Sequence, residues 1–250
     1  MTAGRQTVFL LDHDPDLGAA LGGVLRETAR RELIADLVER PRGRLDAMTG
    51  IDSTAGALGL LVIDGLLARR VSVAGRRGME LMGAGDLLRP WQDDGEHSVS
   101  PFEAVDQILE PCRLAVLDRR ATARIGRWPE VMAVIAQRAL NRSRAVMGHL
   151  VLSQIPRVDQ RLHLLLWHLA DRWGKVTPDG VVLTLRLSHE IFGALIGAQR
   201  PTVTLALRQL TDRGVIMRRP DRTWLLIEQP ADIALKDHLD VDVDVLAAET

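Results

Sequence analysis

Between positions 199 and 222 the sequence gathers side chains suited to hydrogen-bonding a polyanion and the bases it carries. They are Gln199, Arg200, Thr202, Thr204 and Arg208, followed by Arg218, Arg219 and Arg222. A guanidinium can donate to O6 and N7 of one guanine together, while hydroxyls and further guanidinium groups suit phosphate oxygens. Such chemistry needs a rigid support that presents these groups on one surface. At about 100° per residue, a helix from Pro201 puts Val203, Ala206, Leu207 and Leu210 on one side. Pro201, Thr204, Leu205 and Arg208 fall roughly opposite, with Gln199 and Arg200 at the tip. An ordinary amphipathic helix divides in the same way, so the surroundings must decide between the two readings.

Those surroundings are specific. Ser188 carries a hydroxyl able to cap a short helix over 189–196, and Gly197 ends that helix. Gly197-Ala198-Gln199 then leads to Pro201, whose fixed φ and missing N–H suit the first position of a second helix running to about Arg213. Helices joined so tightly cross steeply. Gly193 and Gly197 lie four apart on the first helix and are expected to let the second approach closely. After Gly214, Val215-Ile216-Met217, the connector Arg218 to Arg222, and Thr223 to Ile227 predict a two-stranded wing with a basic tip. The whole predicts a winged helix-turn-helix whose candidate contacts to double-stranded DNA are Ser188, Gln199, Arg200, Pro201, Thr202, Thr204, Leu205, Arg208, Arg218, Arg219 and Arg222.

A chain of 250 residues with 46% hydrophobic content suits two domains with real cores. Its net charge of −1 hides a local bias: residues 155–228 hold 11 Lys and Arg against 7 Asp and Glu, whereas 229–250 hold 1 against 6. Only the proposed DNA module is basic, by a margin that leaves affinity to base contacts and to two copies of the module. The acidic tail reads as a solvated segment, with a screen over the basic surface as the alternative. The one cysteine, Cys112, excludes an internal disulfide framework and reads as a small buried hydrophobe. His97, His149, His163 and His168 show no metal-ligand spacing, so neither a metal nor any other cofactor is expected. No basic-then-apolar leader opens the chain, and runs such as 162–167 are too short to cross a bilayer, which points to a cytoplasmic protein without a membrane partner. No nucleophile–base pair, phosphate-binding glycine loop or paired-carboxylate motif suggests an enzyme.

Upstream of this module, apolar residues recur at Trp128, Met132, Ile135, Ala139, Val146 and Leu150 along a helix over 128–155, interrupted by Arg142 and His149. The pattern fits a two-helix seam and equally a helix packed on its own domain. A DNA reader of this kind needs a symmetric partner, so a homodimer is expected. Ile155-Pro156 breaks the helix, and a further helix from about Arg157 to Trp173 turns Val158, Leu162, Leu165, Leu166 and Leu169 inward. Residues 56–118 differ in kind: short apolar runs separated by Gly59, Gly65, Gly75, Gly78, Gly83 and Gly85 predict a small β-roll or barrel. A rival signal lies at 8–26, where VFLLDHDPDLGAALGGVLR resembles the start of a response-regulator receiver, with Asp12 and Asp14 as magnesium ligands. Residues 1–174 lack the lysine a receiver needs, so 1–50 is read as a helical extension.

In order, the chain resembles the Crp/Fnr family of bacterial transcription regulators over roughly 56–228. The resemblance rests on Asp64-Gly65, Gly83-Ala84-Gly85-Asp86, the strand Cys112 to Leu117 leading to Pro129, and above all GALIGAQRPTVTLALRQL at 193–210. It implies an α+β fold: a double-stranded β-helix or jelly-roll sensor over 51–127, a dimerisation helix over 128–155, and a winged helix-turn-helix over 156–228. It also implies that Arg200 reads a guanine and that Thr202 contacts phosphate. Pro201 and Leu205 replace an acidic base-reader and a basic contact, which puts the family's best-known operator in doubt. Members that bind cyclic nucleotides follow the glycine turn with a glutamate and an Arg-Ser/Thr-Ala segment. Leu87-Leu88-Arg89-Pro90-Trp91 stands here instead. Gly83, Gly85, Asp86 and Arg89 are left as a candidate effector pocket without expected control by cyclic nucleotide. The reading is a dimeric transcription regulator acting on a pseudo-palindromic site, with RNA polymerase and a small-molecule effector as further candidate partners. A ligand or protein sensor using its winged helix for protein contacts is the alternative.

Overall fold

The protein is described here by a computed structural model over residues 6–45, 56–89 and 103–230. The segment Pro90–His97 and the acidic tail beyond Pro230, both singled out in the sequence, lie outside the described residues. The chain divides into two compact units, Met1–Gly148 and His149–Thr250.

The first unit is built on one antiparallel sheet of seven strands: β1 (Gln6–Phe9), β2 (Ile34–Arg40), β3 (Gly43–Arg44), β4 (Gly59–Val73), β5 (Arg76–Gly83), β6 (Leu87–Leu88) and β7 (Glu103–Leu117). The main order is β1-β2-β7-β4-β5, with β3 on β7 and β6 on β4. Side-chain alternation divides the two long central strands between two cores. Leu61, Ile63, Ala115 and Leu117 join one of them, while Leu60, Val62, Leu114 and Val116 join the other. Both faces of the centre are therefore buried, which explains the nearly continuous apolar run at the start of β4. Ala74 and Gly75, both at positive φ, form the two-residue turn of the β4–β5 hairpin.

Two expectations are corrected here. Gly78 is not a turn but lies within β5, paired with Val71, and Gly65 is not a turn but lies within β4, where the register against β7 slips between Val62 and Leu67. Its φ is +100°, and a Cβ there would stand 2.3 Å from the Pro111 carbonyl oxygen and 2.6 Å from Cys112 Sγ. The N-terminal stretch is also not purely helical. Strands β1 and β2 extend the same sheet, and between them lie α1 (Leu10–His13), a 3-10 turn over Pro15–Gly18 and α2 (Gly23–Glu32). Asp12 and Asp14, which imitate receiver ligands in sequence, are ion-paired to Arg30 and Arg138. The antiparallel pairing excludes the parallel sheet of a receiver.

After α3 (Arg119–Ile125), capped by Asp118 accepting from the Ala121 N–H at 2.8 Å, the long helix α4 runs over Pro129–Ser153. Its first turns join the unit's own core: Val131 and Ile135 are buried, with Trp128, Met132 and Val134 packed beside them.

The second unit begins with α5 (Val158–Trp173), which buries Leu162, Leu165, Leu166 and Leu169 as the spacing predicts. Next comes a hairpin absent from the sequence reading, β8 (Gly174–Thr177) and β9 (Gly180–Leu183). Helices α6 (His189–Ile196) and α7 (Arg200–Asp212) follow, then the wing strands β10 (Ile216–Arg218) and β11 (Trp224–Leu226). The wing is continuous with the earlier hairpin in a sheet of order β10-β11-β9-β8.

Candidate functional site

Helix α6 starts where Ser188 Oγ accepts from the Ile191 N–H at 3.3 Å, and it ends at Gly197 in the left-handed conformation. The two glycines expected to admit the second helix have different jobs. A Cβ at Gly193 would lie 2.4 Å from the Ala198 carbonyl oxygen and 3.6 Å from Val203 Cγ2, so the close approach is made there. Around Gly197 there is open space, and its positive φ is what the C-cap requires.

Helix α7 buries Val203, Ala206, Leu207 and Leu210, which fixes its outward face. Gln199, Arg200, Pro201, Thr202, Thr204, Leu205 and Arg208 are all exposed, with Arg200 the first helical residue and Pro201 the second. Pro201 is one place later than expected and still within the first turn, where its missing N–H leaves no bond unmade. Arg208 is paired only loosely, 3.6 Å from Asp212 on an exposed helix face. Thr204 Oγ1 donates to the Arg200 carbonyl oxygen at 3.0 Å.

In the wing, the Arg218 guanidinium lies 5.3 Å from the centre of the Trp224 ring. Asp221 accepts from both the N–H and the hydroxyl of Thr223, and Arg222 is left-handed at φ +69°. Ser188, Arg218, Arg219 and Arg222 are exposed. Missing from the sequence reading was His189, whose ring joins Thr204 of α7 to Arg218 of β10 at 2.9 and 3.4 Å. Its place directly after the capping serine was the only available signal.

The first unit contains a cavity of ≈ 360 Å³ between the Gly85–Leu87 turn, β4, β5 and α4. Gly85, Asp86 and Arg89 line it as the sequence suggests, whereas Gly83 does not. Asp86 is buried and accepts from the Gly83 N–H at 2.8 Å, so this carboxylate closes the turn. The wall carries Arg69, Arg138 and Arg142, each bound at two points by a carboxylate: Asp106, Asp14 and Glu80 respectively. Arg142 also donates to the Leu87 carbonyl oxygen at 2.9 Å. Cys112 is buried away from this wall, and burial pushes its thiol up to about 11.

The residues read as a dimer seam are divided by this packing. Trp128, Met132 and Ile135 contact their own core, and Ala139 and Val146 line the cavity wall. Of the six, Leu150 remains well exposed and away from both. About a quarter turn round α4, a second series runs at alternating steps of three and four: Ala133, Ala136, Leu140, Ser143, Met147 and Leu150, all exposed. The sequence reading missed this face because the inward stripe is also apolar.

The family model of the Crp-like helix-turn-helix domain matches residues 160–234. These residues are a Crp-like helix-turn-helix domain. No curated protein sequence matches the chain. Solved structures do. FixK2 from Bradyrhizobium japonicum is 18% identical, with 78% of this chain and 93% of that one covered at a TM-score of 0.57. A CooA mutant from Carboxydothermus hydrogenoformans is 21% identical, covering 79% and 85% at 0.56. TTHA1359, a CRP/FNR family transcriptional regulator from Thermus thermophilus, is 19% identical, covering 77% and 93% at 0.53. The chain thus has the Crp/Fnr fold, an antiparallel-sheet domain joined to a Crp-like helix-turn-helix. Among its described residues no helix is long and apolar enough to cross a membrane.

Proposed function

We propose that the protein is a sequence-specific DNA-binding transcription regulator of the Crp/Fnr type, acting as a homodimer on a pseudo-palindromic site and free of control by cyclic nucleotide. The observation that carries this reading is the outward face of α7. Inside a Crp-like helix-turn-helix domain, Arg200 stands exposed at the helix tip, with Thr202, Thr204 and Arg208 behind it. Its guanidinium suits the O6 and N7 edge of guanine, and Arg219 and Arg222 of the wing suit flanking phosphates. Pro201 and Leu205 bring no hydrogen-bond donor, so their contribution is apolar contact, for which a thymine methyl is the fitting partner.

The exposed series on α4 supports the dimer. Leu140, Met147, Leu150 and Val151 are each more than half exposed in the single chain. Leu140, Met147 and Leu150, with Ala133 and Ala136, supply a mainly apolar face with the repeat of a two-helix seam, interrupted by the polar Ser143. Two modules related by a two-fold axis would read half-sites about one helical turn apart.

Selection of binding sites from random or genomic DNA by the purified protein, followed by footprinting, tests the reading. The expected outcome is a two-fold logo containing a guanine in each half-site. Arg200→Ala should lower affinity for that site by about 1–3 kcal/mol and relax the choice at the guanine. Failure to enrich any sequence would remove the DNA reading and favour a winged helix used for protein contacts.

A further inference from the structure

We propose that His189 is a positioning residue of the DNA interface, holding Thr204 and the wing arginine Arg218 in place when neutral, and that DNA binding draws a proton onto its ring. The inference rests on the DNA-binding reading above and adds to it a residue and a proton.

The geometry sets the ring's protonation. Thr204 Oγ1 gives its own proton to the Arg200 carbonyl oxygen at 3.0 Å, so toward the ring it can only accept. His189 Nδ1, at 2.9 Å, is therefore the donor in that contact. In the neutral ring this leaves Nε2 with its lone pair, and Arg218 Nη1 donates to it at 3.4 Å. The half-buried ring thus ties α6 to the outward face of α7 and to the first strand of the wing.

A second proton changes both the bonding and the charge. With hydrogen on Nε2, the ring and the Arg218 guanidinium are both donors and both cations, so the link to the wing is lost. The groups that act on the ring are Arg218 from β10 and Arg200 from α7, both cationic; Glu190, its neighbour on α6, is exposed. Burial first, and these two charges after it, hold the histidine below its ordinary value in the free protein. Phosphates arriving beside these two arginines would reverse the local field and favour the imidazolium. Arg218 is released from the ring in the same step and gains a phosphate oxygen as acceptor instead. The proton comes from solvent, one per module.

The sign follows from linkage. A group that binds protons more readily in the complex makes affinity rise as pH falls between its values in the free and bound states, by at most about tenfold per pH unit and module. The test is the dissociation constant of the full chain for its selected duplex between pH 6 and 8.5 at fixed ionic strength. Wild-type affinity should tighten toward acid. His189→Gln, which preserves a neutral polar side chain, should bind at the alkaline-limit affinity without that slope, and His189→Arg should stay near the acid limit throughout. In parallel, the NMR titration of the His189 ring should move to higher pH when the duplex is added. His163 and His168 also titrate in this unit, but the variants leave both intact, so any slope they cause survives in His189→Gln. A wild-type affinity independent of pH, a full slope retained in His189→Gln, or a ring titration unmoved by DNA would each overturn the proposal while leaving DNA binding in place. No binding at any pH would remove the DNA reading itself.

Discussion

Replacing Leu140 and Met147 by glutamate separates association from folding. Both side chains are exposed in the single chain, at 57% and 60%, and neither touches the core of its own unit. Exposed substitutions of this kind shift the stability of a single chain by no more than about 0.5 kcal/mol. In a seam the account differs. Burying a leucine or methionine side chain contributes about 1.5–3 kcal/mol, and two-fold symmetry counts each substitution twice. One glutamate should then weaken the dimer by about 3–6 kcal/mol, roughly a hundredfold to ten-thousandfold in the dissociation constant. Ile135→Glu makes the contrast. Ile135 is only 8% exposed inside the core, so a carboxylate there meets the penalty of an unpaired buried charge and unfolds the first unit. Sedimentation equilibrium should give a wild-type dimer at micromolar concentration, with Leu140→Glu and Met147→Glu monomeric, folded by circular dichroism, and unfolding in urea where wild type diluted below its dissociation constant does, since association adds stability only to the dimer. A monomeric wild type, or variants that associate as tightly as wild type, would refute the assignment of this face.

Four further outcomes follow from the same geometry. Gly193→Ala places a Cβ 2.4 Å from the Ala198 carbonyl oxygen, so the tight turn must shift; a destabilisation of about 1–3 kcal/mol by urea titration is expected, with reduced DNA affinity. Arg222→Gly removes a guanidinium at a left-handed position and should lower affinity for every sequence alike and flatten its salt dependence, without changing the logo. Burial holds His163 and His168 below the ordinary histidine value, so the native second unit favours neutral rings and loses stability as pH falls through about 6.5; the urea midpoint should drop toward pH 5.5, and His163→Gln should reduce that drop. Cyclic AMP and cyclic GMP should show no low-micromolar binding by calorimetry, and DNA binding should need neither.

The helix-turn-helix was legible because its determinants are local. Ser188, Gly197 and the 203–210 periodicity each act within a turn or two of chain, and helices α6 and α7 fall within a residue of the expected bounds. The strands β1 and β2 were not legible: β2 pairs with β7 between 72 and 80 positions later, and nothing in a local window announces so distant a ladder. The β8–β9 hairpin left a clearer trace in Pro178-Asp179-Gly180, a turn sequence overlooked between two helical patterns. Along α4, two apolar stripes lie on one helix, and periodicity cannot say which of them faces the chain's own core. His189 escaped because its importance lies in contacts with residues 15 and 29 positions away.

Helix α4 also constrains how a molecule in the cavity could act. Arg138 and Arg142 lie one turn apart on its inward side and reach Asp14 and Glu80, while Gly85 leaves room for the Arg138 guanidinium, 3.2 Å from where a Cβ would stand. These two arginines are committed to carboxylates, so an anion bound through either of them must displace Asp14 or Glu80 and leave that carboxylate to find another partner. A cyclic phosphate therefore gains little from Arg138 or Arg142, which agrees with the absence of low-micromolar binding expected from the sequence. The same commitment makes the ion pairs the place where an occupant could reorient the helix. A ligand shifts a conformational equilibrium only by its difference in affinity for the two states, and an exchange of carboxylate partners by these arginines would be one source of that difference. An occupant that left both ion pairs intact would have to act on α4 through Ile135, Ala139 and Val146 instead.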